Sequence, residues 1–289
     1  MTQTVQNFVQ LSQSVEQEWQ QRVATHQATI ARIKAAPVPA PLPLALLAHG
    51  DSWFDYPLNG NSPILDTSDI IHYLGLTGSP LPIILNISHW GDATTDEMSW
   101  PKQQKMIDAI NDKNNWLNNG LPDAILFSGG GNDIVGDKFC IFVDPNTGMG
   151  GGLNQTRFTE ALGMVEASYR DLFAFRDRYA PGVPIFGHCY DFALPNGSHP
   201  PCIGPWLKPS LDFSGWNYAD GKVIVHNALT AFKTMQLSLQ AGNNFFVIDT
   251  QGLLTDADWA NELHPYPNGF MTVARQFAAA LRAHFPNRI

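Results

Sequence analysis

The chain has 289 residues, 44% hydrophobic and 15% charged, enough for one large core or two smaller ones. Seventeen basic residues against 26 acidic ones give a formal net charge of −9, and no basic stretch breaks that balance, which argues against electrostatic binding to nucleic acid or anionic membranes. Three cysteines form no disulfide framework and show no zinc spacing; unpaired thiols are favoured over a single Cys189–Cys202 bridge.

Residues 1–40 form a segment of their own. Leu11, Val15, Trp19 and Val23 recur every fourth position, with Phe8 before them. Gln27 interrupts the stripe; Ile30 and Ile33 resume it. The spacing predicts an amphipathic helix over 5–35, ended by the prolines of "APVPAPLP". Its polar face is rich in Gln and not in Lys, unlike a membrane-surface anchor. Packing, or pairing with a second copy in a homo-oligomer, is the expected use. The N-terminus lacks a basic region followed by an apolar one, and no apolar run reaches the ~20 residues of a membrane span. A cytoplasmic location is the default expectation.

From residue 41 to 289 one pattern repeats: a short apolar run, a turn rich in glycine or polar residues, then a helical stretch. The runs are "LPLALLAHG", "LPIILNISHWG", "DAILFSGGG", "VPIFGHCYD" and "NNFFVIDTQG". Helical patterns fall near 101–118, 154–179, 221–241 and 267–284. Alternation of this kind predicts an α/β domain: a five-stranded parallel sheet covered on both faces. The stretch 190–218 is long, proline-rich and aromatic, and reads as a lid, a binding wall or structural padding.

In such a sheet, ligands bind beyond the carboxyl ends of the strands. The first run ends in Gly50-Asp51-Ser52, the second in His89-Trp90-Gly91-Asp92, the third in "GGGNDI" over 129–134. "DADWANELHPYPNGF", 256–270, follows the fifth. These turns supply parts for acyl transfer. Ser52 is the candidate nucleophile and His264 the candidate base that takes its proton. The N–H groups of Ser52 and Gly91 and the amide of Asn132 are candidate donors to an oxyanion. Each has a plainer reading: Ser52 as a helix cap, Gly91 and Asn132 as turn residues, His264 as a structural histidine. Their order at successive strand ends favours the chemical one. A phosphate loop is disfavoured, because "GGGND" lacks the lysine and the Ser/Thr that such a loop carries.

In these residues the chain resembles the SGNH hydrolases, the GDSL-type lipases and esterases. "GDSWFDY" resembles the first block with Ser52; Gly91 in "SHWGDAT" the second; "GGND", 130–133, the third with Asn132; "NELHP", 261–265, the fifth with His264. The blocks stand in family order over residues 50–265. The resemblance implies a three-layer α/β/α sandwich with a flavodoxin-like five-stranded parallel sheet. It also implies hydrolysis of carboxylic esters or thioesters through an acyl-serine, with no cofactor or metal and a small-molecule ester as the partner.

Two positions depart from the pattern. Trp53 follows the serine where leucine is usual. Asn261 stands three before the histidine, where aspartate normally fixes the imidazole tautomer and stabilises the imidazolium. Three arrangements stay open: Asn261 orients His264, Asp258 or Glu262 supplies a carboxylate, or a backbone carbonyl serves a Ser-His dyad. Spacing favours Asn261 as the contact. The alternative function is a weakened or non-catalytic binding module on the same scaffold. Trp53, Phe54, Tyr190, Trp206 and Trp216 are candidate pocket walls.

Overall fold

The computed structural model describes residues 3–37, 41–57, 68–136, 138–149, 151–199 and 204–289, with side chains from residue 14 onward. Cys202 lies outside the described residues, as do the side chains of Phe8 and Leu11, so the expected Cys189–Cys202 alternative does too. Cys189 is buried and Cys140 exposed, both as free thiols.

Five strands form one parallel sheet: β1 (Ala45–Gly50), β2 (Ile83–Asn86), β3 (Ala124–Ser128), β4 (Ile185–His188) and β5 (Phe245–Ile248), in the order β2-β1-β3-β4-β5. Leu47 of β1 pairs in register with Leu85 of β2 and with Ile125 of β3. Every residue of β1, β3 and β4 is buried, as expected for strands covered on both faces, so their apolar runs are unbroken. The chain leaves β1 for β2 on one side and leaves β3 for β4 on the other. The crevice at that switch lies beyond the carboxyl ends of β1 and β3, where Ser52 and Asn132 follow.

The helices are α1 (Gln3–Ala35), α2 (Ile70–Gly75), α3 (Thr94–Glu97), α4 (Trp100–Asn111), α5 (Gly131–Ile134), α6 (Gln155–Tyr179), α7 (Lys208–Phe213), α8 (Tyr218–Ser238) and α9 (Pro267–His284). α2 packs on α9, while α6 contacts α3, α4 and α8. Sequence signals account for most boundaries. Asn154 caps α6 by accepting the Arg157 N–H, and Pro267 starts α9. α4 stops earlier than its pattern, because the Asp112 carboxylate accepts the Asn114 N–H and turns the chain. α8 begins three residues before its pattern: Asn217 caps it, and Gly221 inside it makes room for Leu211 of α7.

α1 lies against β2, an edge strand whose Ile83 and Ile84 are only half-buried, and so covers it. Ile30 is buried, and Trp19 and Val23 pack on the same core. The part of the stripe with described side chains is therefore used within the chain. Gln27 breaks the stripe for a reason: its amide donates to Asp112 Oδ2 at 2.8 Å and Asn115 Oδ1 at 3.0 Å. Arg22 ties the helix to the first turn through Asp55 at 2.6 Å and the Ser88 carbonyl at 3.3 Å. Among the described residues no helix is long and apolar enough to cross a membrane.

Candidate active site

Each strand-end turn has a packing reason for its sequence. A Cβ on Gly50 would stand 2.5 Å from the Ser128 carbonyl oxygen, so only glycine lets β1 leave so close to β3. Just after it, Asp51 is buried. Its Oδ1 accepts the Trp53 N–H at 3.0 Å and the Ser128 hydroxyl at 2.8 Å; its Oδ2 accepts the Tyr190 hydroxyl at 2.6 Å. These bonds fix the turn that presents Ser52. Burial still outweighs them and pushes the Asp51 carboxyl up to about 6.

The "GGGND" turn is equally constrained. A Cβ on Gly130, whose φ is +111°, would meet the Phe232 ring at 2.4 Å. Gly131 has the Tyr190 ring against it, 3.0 Å from where a Cβ would stand. Asp133 accepts the Thr94 N–H at 2.8 Å and its hydroxyl at 3.1 Å, which joins α5 to α3. Asn132 donates its side-chain amide to the Asp92 carbonyl at 2.8 Å and so grips the turn that follows β2. Gly91, with φ +81°, sits in that turn.

His264 comes from a loop folded back on itself. The His264 carbonyl accepts the N–H of Ala260 at 3.0 Å and of Asn261 at 3.2 Å, and the Asp258 carbonyl accepts the Tyr266 N–H at 2.7 Å. The ring packs against Tyr56, centroids 4.8 Å apart, and edge-on to Trp206. Ser52 Oγ lies 2.7 Å from His264 Nε2. Residues 212 apart in sequence are thus in hydrogen-bond contact.

The other ring nitrogen answers the Asn261 question. Asn261 is fully buried, and its Oδ1 stands 3.2 Å from His264 Nδ1. The same oxygen accepts the N–H of Leu263 at 3.0 Å and of His264 at 2.8 Å. Two backbone donors admit only an oxygen at that point, so the amide cannot turn its NH₂ toward the ring. Nδ1 therefore carries the proton, and Nε2 offers its lone pair to Ser52. This is the tautomer a base needs, enforced without a carboxylate. Asn261 Nδ2 faces the Tyr56 hydroxyl at 3.3 Å. With no carboxylate beside the ring, burial pushes the His264 imidazole down to about 3.

The other candidates for this contact are occupied elsewhere. Asp258 caps its own turn, accepting the N–H and hydroxyl of Thr255 at 2.8 and 2.7 Å. Glu262 is fully buried and points away. Its two oxygens accept the N–H groups of Gly197, Trp206, Leu207 and Lys208 at 3.0, 2.5, 2.8 and 2.9 Å. It thereby anchors the described parts of the 190–218 excursion beneath the histidine loop.

Ser52, Asn132 and His264 line a common cavity of about 20 Å³, with Trp53 and Tyr190 among its walls. Gly91 does not line it. Of the other expected wall residues, Phe54 is core, stacked on His188. Trp206 supports the His264 ring, and Trp216 donates its indole N–H to the Asp144 carbonyl. Sequence reasoning missed the Asp51–Ser128–Tyr190 bonds and the Glu262 anchor. The acid of the Gly-Asp-Ser turn was the available signal for the first; nothing in the local sequence marks the second. Among the described residues no group of three or more His, Cys, Asp or Glu is placed to hold a metal ion.

No protein-family model and no curated protein matches the chain. Solved structures do. The lipase Lip_vut3 from a goat rumen metagenome is 13% identical with a TM-score of 0.53, over 82% of this chain and 97% of that one. The extracellular lipase from Streptomyces rimosus is 15% identical with a TM-score of 0.50, over 81% and 98%. At these identities the likeness establishes the fold: the chain has the three-layer α/β/α architecture of the SGNH hydrolases.

Proposed function

We propose that the protein hydrolyses carboxylic esters or thioesters through an acyl-serine intermediate. The observation that carries this reading is the contact of Ser52 Oγ with His264 Nε2 at 2.7 Å, with the Nδ1 proton held on Asn261. Ser52 attacks the acyl carbon as His264 takes its proton. A neutral imidazole is required for that step, and burial keeps it neutral at pH 7. The developing oxyanion is met by the Ser52 N–H and the Asn132 amide; Gly91, outside the cavity lining, is left out of this set. His264 then protonates the leaving group and activates water for deacylation. The lipase folds named above support the reading by analogy of scaffold alone.

Asn261 favours a second reading, a slow or degenerate enzyme, because an amide orients the ring but does not neutralise the imidazolium that forms. Both are tested together. A p-nitrophenyl phosphonate should label Ser52, and Ser52→Ala should abolish turnover of p-nitrophenyl acetate and butyrate. An unlabelled serine in folded protein makes the chain a binding module; turnover unchanged in the variant removes Ser52 from the chemistry.

A further inference from the structure

We infer that Tyr190 is a positioning residue, which holds the turn that presents Ser52 at a fixed distance from the turn that carries Asn132. The inference rests on Ser52 being the nucleophile. The backbone at Tyr190 is an outlier. Among the described residues, four other than glycine have positive φ: Asn119, Asn244, Asn287 and Tyr190, at +50°, +47°, +66° and +54°. Asparagine tolerates that region, whereas a bulky aromatic residue is costly there. Strain of this kind persists only where the surroundings over-determine it, and it collects at functional sites. At position 190 the chain keeps a tyrosine where asparagine or glycine would fit the backbone more easily.

The contacts of the side chain show what it does there. Tyr190 follows β4, is 3% exposed and lines the cavity with Ser52, Asn132 and His264. Its hydroxyl donates to Asp51, the residue before Ser52. Its ring lies against Gly131, the residue before Asn132. One side chain thus touches the immediate neighbour of the nucleophile and the immediate neighbour of the candidate oxyanion donor. Both contacts are tight. Asp51 Oδ1 has two donors, whereas Oδ2 has the Tyr190 hydroxyl alone among the described residues, at 2.6 Å. The ring in turn is boxed in by His188, Trp53 and Phe232, with centroids 4.4, 5.5 and 5.7 Å away.

The two halves of the residue act separately. Without the hydroxyl, a buried carboxylate oxygen loses its donor, and the turn before Ser52 shifts toward other partners. The ring fills the space between the two turns and stops them closing on each other. A shift of either turn misplaces Ser52 Oγ, or the donors facing it, against an acyl carbon. A misplacement of ~1 Å costs ~10²-fold in rate. Substrate affinity needs no such precision, so the loss falls on kcat.

The test is Tyr190→Phe, which keeps the ring and removes the hydroxyl, with Asp51→Asn and the double variant, each shown to be folded by urea titration. On p-nitrophenyl acetate, kcat of Tyr190→Phe should fall at least tenfold with KM within twofold of wild type. Labelling of Ser52 by the p-nitrophenyl phosphonate should slow in parallel. Asp51→Asn should show a comparable loss, and it decides alone if Tyr190→Phe does not fold. The double variant should lose far less than the product of the two single losses, because both remove the same bond. Either single variant, folded and with kcat within twofold of wild type, overturns the inference. So does a loss confined to KM, which makes Tyr190 a substrate contact, or a double variant whose losses multiply. In each of these cases wild-type label and turnover leave the hydrolase reading standing; a wild type with neither removes both.

Discussion

On the proposed mechanism, replacing Asn261 with aspartate should speed ester turnover and move its pH profile. The site accepts the change. Oδ1 keeps the N–H bonds from Leu263 and His264, and the second oxygen faces the Tyr56 hydroxyl, which is able to donate. At the observed 3.2 Å, an aspartate charge beside the imidazolium is worth about 5 kcal/mol at an effective dielectric of ~20. Burying a carboxylate where the residue is fully enclosed takes back several kcal/mol, reduced by the three donors waiting for it. A net of about 2–3 kcal/mol in the transition state remains, roughly 30- to 150-fold in kcat. The pH profile supplies a second readout. In the wild type the imidazole is pushed down to about 3, so kcat/KM should stay level from neutral pH well into the acid range. In Asn261→Asp the imidazolium is favoured, and the acid limb should appear at higher pH. The assay is p-nitrophenyl acetate turnover from pH 4 to 9 on protein shown to be folded. A folded variant with kcat within twofold of wild type and an unmoved limb would refute the claim that Asn261 supplies orientation without charge.

Three further outcomes are expected. On the proposed mechanism, Asn132→Ala should lower kcat by about 10²–10³ with little change in KM, since the proposal has its amide meet charge that develops only in the transition state; an equal loss in KM would instead make it a substrate-binding group. Glu262→Ala should cost about 3 kcal/mol or more in urea unfolding, since four backbone N–H groups lose their acceptor; a loss under 1 kcal/mol would show the excursion to be held by other contacts. Glu97 is fully buried, neither carboxyl oxygen has a hydrogen-bond partner among the described residues, and burial raises it well above its ordinary 4.5. The native state holds a proton that the unfolded chain releases above pH 4.5, so this contribution to stability is complete below that pH and is lost as pH rises toward the folded value. Glu97→Gln should therefore gain on the wild type between pH 4 and pH 8 in urea titrations, and a pH-independent difference between the two would contradict the sign.

The five strands, the four long helices of the domain and the N-terminal helix were legible because each rests on local causes: unbroken apolar runs, 3.6-residue periodicity, Asn caps and prolines. The ends of α4 and α8 were misplaced where an Asp or Asn side chain competed with the hydrophobic pattern. Ser52, Asn132 and His264 were legible as residue types at strand ends, since a parallel sheet collects those ends at one rim. Their distances were not, because contact across 212 residues is set by how the sheet twists and its helices pack. Asn261 shows the division most clearly. The sequence determined that an amide stands where a carboxylate is usual, and left several partners open for the imidazole. Only the fold decided that Glu262 turns away to hold four backbone N–H groups, and that two other N–H groups fix the Asn261 oxygen toward the ring. Those donors come from backbone geometry, which no side-chain pattern records.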